Sequence, residues 1–300
     1  MDLTSASLEA LFKGYKTNFQ QGFDSLGPDG SLYEQFATLV PSTTSVEVYP
    51  WLRSLPRMRE WIGDRVIHGL EGADFSIKNR KFELTEGVER DRIEDDTYGL
   101  YAPVFSEFGR SSREHPNELC VEVLQSNPIC YDKQNLFDAD HPVLDAGGAT
   151  VSVSNDMGGS GPAWYVMDLS RAIRPLIFQR RRDYNFRSIA DLNDAKVFLT
   201  DKFFFGVDAR VNAGPGLWQL IVRSKQPFSA ANYAEARARL TQLTGDYGRP
   251  LGLRHTHTMV PQTLEGAARQ VVVNSLAAGG ATNEWAGSSQ LILNPWLAAA

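Results

Sequence analysis

An α+β fold is what this sequence predicts, and three patterns carry the prediction. Across residues 91–113, Ile93, Tyr98, Leu100, Tyr101, Val104, Phe105 and Phe108 make a wide apolar stripe at helical spacing. From Ala163 onward, short apolar runs bounded by turn residues read as strands. Two capped segments, 229–244 and 263–275, then read as helices again. With 300 residues, 42% of them hydrophobic and 11% aromatic, the chain has ample material for a core. At this length roughly 75% of the unfolded surface leaves water on folding.

In chain order, the first element is a helix. Leu8, Leu11, Phe12, Tyr15 and Phe19 fall on one of its faces. Residues 22–50 are rich in Gly, Pro, Ser and Thr and offer this face few local partners, so it is expected to dock elsewhere. The segment 51–67 turns apolar again. Then Phe75, Ile77, Phe82 and Leu84 alternate with polar residues on either side of Asn79-Arg80, the pattern of a two-stranded ribbon turning at that pair. A lone hairpin is marginal in water, so its apolar side is expected to lie on its own domain or on another chain.

The long helix starts behind Glu94, Asp95 and Asp96, acids that suit the positive end of a helix dipole, and is expected to break or restart at His115-Pro116. Strands are expected at 163–167, 175–178, 196–199, 203–207 and 217–222, with a last one at 291–293. Ser229 caps the helix at 229–244 and Gly245 stands just past it.

The composition excludes several functions. No uncharged stretch reaches the ~18 apolar residues needed to cross a bilayer, and Asp2 and Glu9 occupy the start where an export signal is basic and then apolar. A soluble chain with no membrane partner is expected. Two cysteines, Cys120 and Cys130, are too few for a disulfide framework and read as buried thiols. A net charge of -6 argues against a dedicated nucleic-acid binder.

Chemistry has one candidate cluster. Asp138, Asp140 and His141, together with His255 and His257, offer carboxylate and imidazole ligands for zinc or iron, which would make the chain a metal-dependent hydrolase. Nothing in the spacing requires the two groups to meet. Gly159-Ser160-Gly161 lacks the strand-to-helix setting of a nucleophile elbow, and no glycine loop matches a phosphate cradle. Arg180, Arg181 and Arg182 form the densest positive patch, which is expected to meet Glu94, Asp95 and Asp96 of a neighbouring subunit.

The strings FSIKNRKFE (75–83), RDRIEDD (90–96), GLYAP (99–103), FDADHP (137–142), RPLIFQ (174–179), FGVDARVNAG (205–214) and YGRPLG (247–252) resemble the Mu-like phage major head subunits, in order and over nearly the whole chain. The resemblance implies a Hong Kong 97-like capsid fold with an N-terminal arm (1–50), an extended β-hairpin loop (51–90), a peripheral domain with a long spine helix (91–225) and an axial domain (226–300). It implies a non-enzymatic shell subunit without cofactors, built into hexamers and pentamers that close into an icosahedral head. A separate scaffold or protease protein, decoration and portal proteins, and weakly held double-stranded DNA are its expected partners. The chain is expected to be close to mature length and to reside in the virion after assembly in the bacterial cytoplasm. A capsid-fold nanocompartment shell is the related alternative. Leu8, Leu11, Phe12, Tyr15, Phe75, Ile77, Phe82 and Leu84 would supply apolar subunit contacts, and Lys78, Arg80 and Lys81 would meet a neighbour's acids.

Overall fold

A computed structural model describes residues 5–27, 29–49, 75–95, 99–277 and 279–297. In chain order the elements are α1 (Ser5–Ser25), α2 (Tyr33–Phe36), β1 (Ala37–Pro41), β2 (Val46–Val48), β3 (Ser76–Lys78), β4 (Arg80–Glu89), α3 (Arg90–Glu94) and α4 (Ala102–Ser126). Then come β5 (His141–Leu144), β6 (Thr150–Val153), β7 (Asp156–Gly159), β8 (Trp164–Met167), β9 (Leu176–Ile189), α5 (Ala195–Thr200), β10 (Lys202–Pro215) and β11 (Ile221–Lys225). The chain ends with α6 (Ala230–Thr241), β12 (Thr244–Gly245), β13 (Arg249–Pro250), β14 (His257–Val260), α7 (Glu265–Ala268) and β15 (Gln290–Leu293).

Two sheets organise these elements. The first has the order β1-β9-β10-β4, and its two longest strands, β9 and β10, form an antiparallel ribbon flanked by β4. The second has the order β15-β14-β8-β11-β7. One apolar core runs under both, from Leu124 and Phe178 through Trp164 and Trp218 to Met259 and Ile292. A smaller aromatic cluster joins α1 and α4 to β10 through Tyr15, Phe105, Phe203 and Phe205.

Helix α4 is the spine, but its position differs from the expected one. It begins at Ala102, after Gly99 takes a positive φ of 67°, and runs through Pro116 to Ser126. Proline removes one backbone hydrogen bond, a loss that packing along the whole helix outweighs. Here Phe105, Phe108, Leu119, Val123 and Leu124 are all buried. Asn127, in the left-handed conformation, closes the helix by donating its N–H to the Val123 carbonyl at 3.2 Å.

The ribbon expected to turn at Asn79-Arg80 is not formed. β3 pairs with β2, Val46 opposite Lys78, while β4 joins the large sheet beside β10. Asn79 is buried where a turn residue would be exposed, its Nδ2 donating to Ser42 Oγ at 2.7 Å and its Oδ1 accepting from Gln179 Nε2 at 2.8 Å. Beyond this pair of strands the Tyr49 N–H donates to the Phe75 carbonyl at 2.9 Å, which holds the two chain segments together at the edge of the described residues. The expected apolar segment 51–67, most of the hairpin loop and Asp96 lie outside the described residues.

Three further expectations change. Residues 196–199 are helical: Asp194 caps α5 by accepting the Lys196 N–H at 2.8 Å, and Asp201 ends it at φ 50°. The segment 263–275 divides into a 3-10 turn, the short α7 and a π turn over Arg269–Val273. The expected division at 225/226 does not separate the sheets, because β11 bonds β8, β8 bonds β14, and all belong to one sheet. The chain crosses between sheets repeatedly, which apolar runs alone do not reveal since they do not name a strand's partner.

Candidate assembly surfaces

The apolar face of α1 does not wait for a neighbour. Leu8 and Tyr15 are 2% and 3% exposed within the chain itself. Tyr15 lies 4.2 Å from the Phe105 ring, Phe12 lies edge-on to Phe203 at 5.5 Å, and Phe19 stacks on Phe186 at 5.2 Å. Leu11 and Phe12 are half-buried against the same cluster. Two glycines permit this closeness: a Cβ on Gly109 would stand 2.0 Å from the Phe19 carbonyl oxygen, and one on Gly22 would stand 1.8 Å from that of Ser106.

The ribbon residues divide similarly. Ile77 is buried, Phe75 and Phe82 are half-buried against the main core, and only Leu84 of the four is exposed. Phe82 meets the edge of the His115 ring at 4.3 Å and lies under the Arg80 guanidinium at 5.0 Å. The expectation that these groups find cover only on sister molecules is thus corrected for Leu8, Tyr15 and Ile77. Sequence periodicity marks a buried face without saying which chain buries it.

Several of the charged residues are also satisfied internally. Arg80 pairs with Glu122 at 3.1 Å, Arg180 with Asp183 at 3.1 Å, Arg182 with Asp208, and Glu94 with Arg90 at 2.9 Å. Arg181 reaches the Ser42 carbonyl at 3.4 Å. Lys78 and Lys81 are exposed with no acidic partner among the described residues, and Asp95 is exposed.

The histidines and aspartates of the hydrolase reading do not assemble. His141 is fully buried, with Nδ1 2.6 Å from Asp132 Oδ2, Nε2 3.1 Å from Asn155 Oδ1, and its ring stacked 3.8 Å from Trp218. Asn155 has no freedom to turn: its Nδ2 donates to the Leu136 carbonyl at 2.8 Å and its Oδ1 accepts the Asp138 N–H. Both imidazole nitrogens face oxygen, leaving none for a metal. Asp140 accepts from Ser152. His255 sits in a separate hydroxyl network, Nε2 3.0 Å from Thr258 Oγ1, and His257 Nδ1 meets Thr256 Oγ1 at 2.9 Å. Burial, with Arg237 nearby, holds His255 down at about 4. Among the described residues no cluster of three or more His, Cys, Asp or Glu suits a metal ion. Cys120 and Cys130 are free and buried, and burial pushes both thiols above their ordinary range.

What the sequence reading missed is at the far end of the β9–β10 ribbon. Phe198 and Leu199 on α5 are 81% and 79% exposed, beside Asp191 and Asp194. At the ribbon's root, Phe75, Ile77, Leu119, Val123, Pro128 and Ile129 line a groove of about 280 Å³ with Lys78 and the Arg80–Glu122 ion pair on its rim. The pair Asn193-Asp194 ahead of an apolar run is the helix-start signal from which α5 was legible.

A spine helix laid on a long ribbon and a second sheet braided through the chain define a shell subunit of the Hong Kong 97 type, a structural protein of virus heads. The chain belongs to the family of Mu-like prophage major head subunits, whose pattern it matches over residues 8–297. It is 39% identical over 308 residues to the major capsid protein of Escherichia phage Mu, covering 99% of this chain and 100% of that one. The subunit in the procapsid of bacteriophage JBD30 superposes with a TM-score of 0.84 at 38% identity, covering 98% of this chain and 100% of that chain. The subunit of the JBD30 capsid decorated with minor capsid protein trimers superposes with a TM-score of 0.75 at 30% identity, covering 89% and 91%.

The chain is accordingly the major capsid protein of a tailed double-stranded DNA phage or Mu-like prophage. It assembles with copies of itself into an icosahedral shell and resides in the virion. The hydrolase and nanocompartment alternatives fall with that assignment.

Proposed function

We propose that the shell closes through hexamers and pentamers, assembled on a separate scaffold or protease protein and joined to a portal. A decoration protein would then seat on it, the relationship that the minor capsid trimers have to the JBD30 capsid. The exposed members of the expected contact set, Lys78, Arg80, Lys81, Leu84, Asp95, Arg181 and Arg182, face sister subunits. The peripheral and axial assignments follow the two sheets: the four-stranded sheet with α4 is peripheral, and the five-stranded sheet with α6 is axial.

The observation that carries the genome side of this reading is charge. At -6 the subunit gives packaged DNA no strongly basic lining. Counterion release, the main source of sequence-independent affinity, is then weak, so the genome is contacted loosely and non-specifically.

The test is to express the full chain together with the scaffold or protease protein, collect the particle fraction, and image it by negative stain alongside filter binding of duplex DNA. Closed shells with six- and five-fold capsomers are expected, with DNA retention that vanishes between roughly 50 and 200 mM salt, as weak non-specific contacts do. Salt-resistant retention of DNA by the shell wall would defeat the loose-contact reading.

A further inference from the structure

The β9–β10–β4 ribbon is electrically bipolar. At its root Lys78, Lys81, Arg181 and Arg210 have no carboxylate partner among the described residues. Arg182, opposite Arg210 on β9, is paired with Asp208, but Lys81 and Arg210 stand directly opposite each other on β4 and β10, a placement of like charges that destabilises a sheet unless an anion meets it. At its tip Glu86, Asp191, Asp194 and Asp201 have no cation partner among the described residues. Most cations at the tip are engaged, Arg90 with Glu94, Arg92 and Lys202 with Glu89, and Lys196 over the Phe204 ring at 4.0 Å, while Lys13 and Lys16 of α1 line the cleft beside Asp191 and Asp194 without forming an ion pair with either.

The apolar groups follow the same polarity. The acidic tip carries Phe198 and Leu199, the two most exposed large apolar side chains of the described residues. The basic root carries the groove of about 280 Å³, edged by Ile129 at 63% exposure. Root and tip are separated by about ten paired positions, roughly 35 Å at the rise of a strand. A paired sheet of that length does not fold its tip back onto its own root.

We propose that the α5 tip of one subunit docks in the root groove of a second copy, Phe198 and Leu199 entering the groove while Asp191 and its neighbours meet Lys78 and the cations around it. This contact rests on the shell reading and is one of the contacts such a shell needs. A second copy fits better than DNA: phosphate would satisfy the root but be repelled by the tip, and it leaves Phe198 and Leu199 uncovered. Because each copy has one tip and one groove, the contact is head-to-tail and closes into a ring when its rotation divides a full turn.

Cysteine pairing tests it in full-length shells, since both positions are exposed. Shells of the Leu199→Cys/Ile129→Cys double variant should give, on oxidation, a ladder of multimers on a non-reducing gel, while neither single variant gives one. In parallel, Lys78→Glu or Asp191→Lys alone should cut shell yield about fivefold, and the two together should restore it to within about twofold, as coupled charge pairs do. Intact particles without the ladder overturn the proposal. So does cross-linking by Leu199→Cys alone, which would mean that tips meet tips. Loss of DNA retention in Lys81→Glu/Arg210→Glu particles at unchanged yield would assign the root to the genome instead. Failure of the unaltered chain to form particles under any condition would count against the shell reading itself, a different result from any of these.

Discussion

The core beneath the two sheets and the aromatic cluster under α1 are both made of buried apolar side chains, yet they are built in opposite ways. The first is braided: Leu136, Asn155, Trp218, Met259 and Ile292 come from distant parts of the sequence and are buried together, with Asn155 bonding the carbonyls of Leu136 and Trp218. Its buried polar groups are tied into it, as is Asn155, whose side-chain amide bonds Leu136, Asp138 and His141 at once. The second is laid on: one helix presses aromatic rings against α4 and the outer half of the ribbon, admitted by two glycines. A braided core fails as a unit. A laid-on helix can leave while what it covered remains folded, so the braid holds the subunit together and the helix is the part that can rearrange on it.

The most damaging change to the braided core is expected at Trp218. Trp218→Ala removes a fully buried ring together with the face on which His141 stacks, and large-to-small changes of this kind cost about 3–5 kcal/mol. Urea unfolding should show a single transition at a much lower midpoint. A separate early transition confined to one sheet would break the idea that both sheets share one cooperative core.

Acid should act on the same region with a slightly smaller effect. Burial holds His255 at about 4, below its ordinary value near 6.5, so the unfolded chain binds its proton first. The stabilisation is complete above about pH 6.5, is lost as pH falls toward 4, and amounts to roughly 3 kcal/mol over that window. His257, also lowered by burial, adds in the same direction. Asp156 is a contrasting case: burial pushes its carboxyl up, but Arg223 and the Gly158 N–H together hold it below the usual range, so its contribution is lost only at lower pH. His255→Gln should flatten the pH 4–6.5 part of the stability curve. An unchanged slope in that variant would remove His255 from the account.

Much of this architecture is legible from residue order, and the reasons for the exceptions are physical. The helix at α1, the Ser229 cap and the strands β8, β10 and β15 are set by local periodicity and capping, which act within a few residues. Pairing is not local. Residues 75–84 show clean alternation, but alternation says only that a strand has two unlike faces, so it assigns β3 to its sequence neighbour β4 when the true partner is β2. The same gap bears on the division at 225: β8 pairs with β14 as well as with β11, so the five-stranded sheet takes strands from both sides of that boundary. The charged contacts are half legible: Arg180 and Arg182 stand out as a run, yet their acids, Asp183 and Asp208, are supplied within the chain. Lys81 and Arg210 become neighbours only through register, which no run of sequence displays.

The two cores separate most sharply under a substitution that touches only the laid-on helix. Gly109 faces Phe19 and Phe23 of α1, and the close approach of the two helices leaves no room for a methyl group, since the obstructing atoms are backbone and cannot swing aside. Gly109→Val must therefore push α1 off α4, while β-branched valine at a mid-helix position disturbs α4 itself only slightly. The expected cost is about 2 kcal/mol, in the range of overpacked cores. Because Tyr15, Phe19 and Leu8 would be uncovered together, α1 should become the first site of limited proteolysis and lose amide protection. Protection across β8, β11 and β14 should stay as it was, since none of their side chains belongs to the aromatic cluster. Loss of protection in both places at once would show that α1 is part of the braid, and the distinction between the two cores would fall.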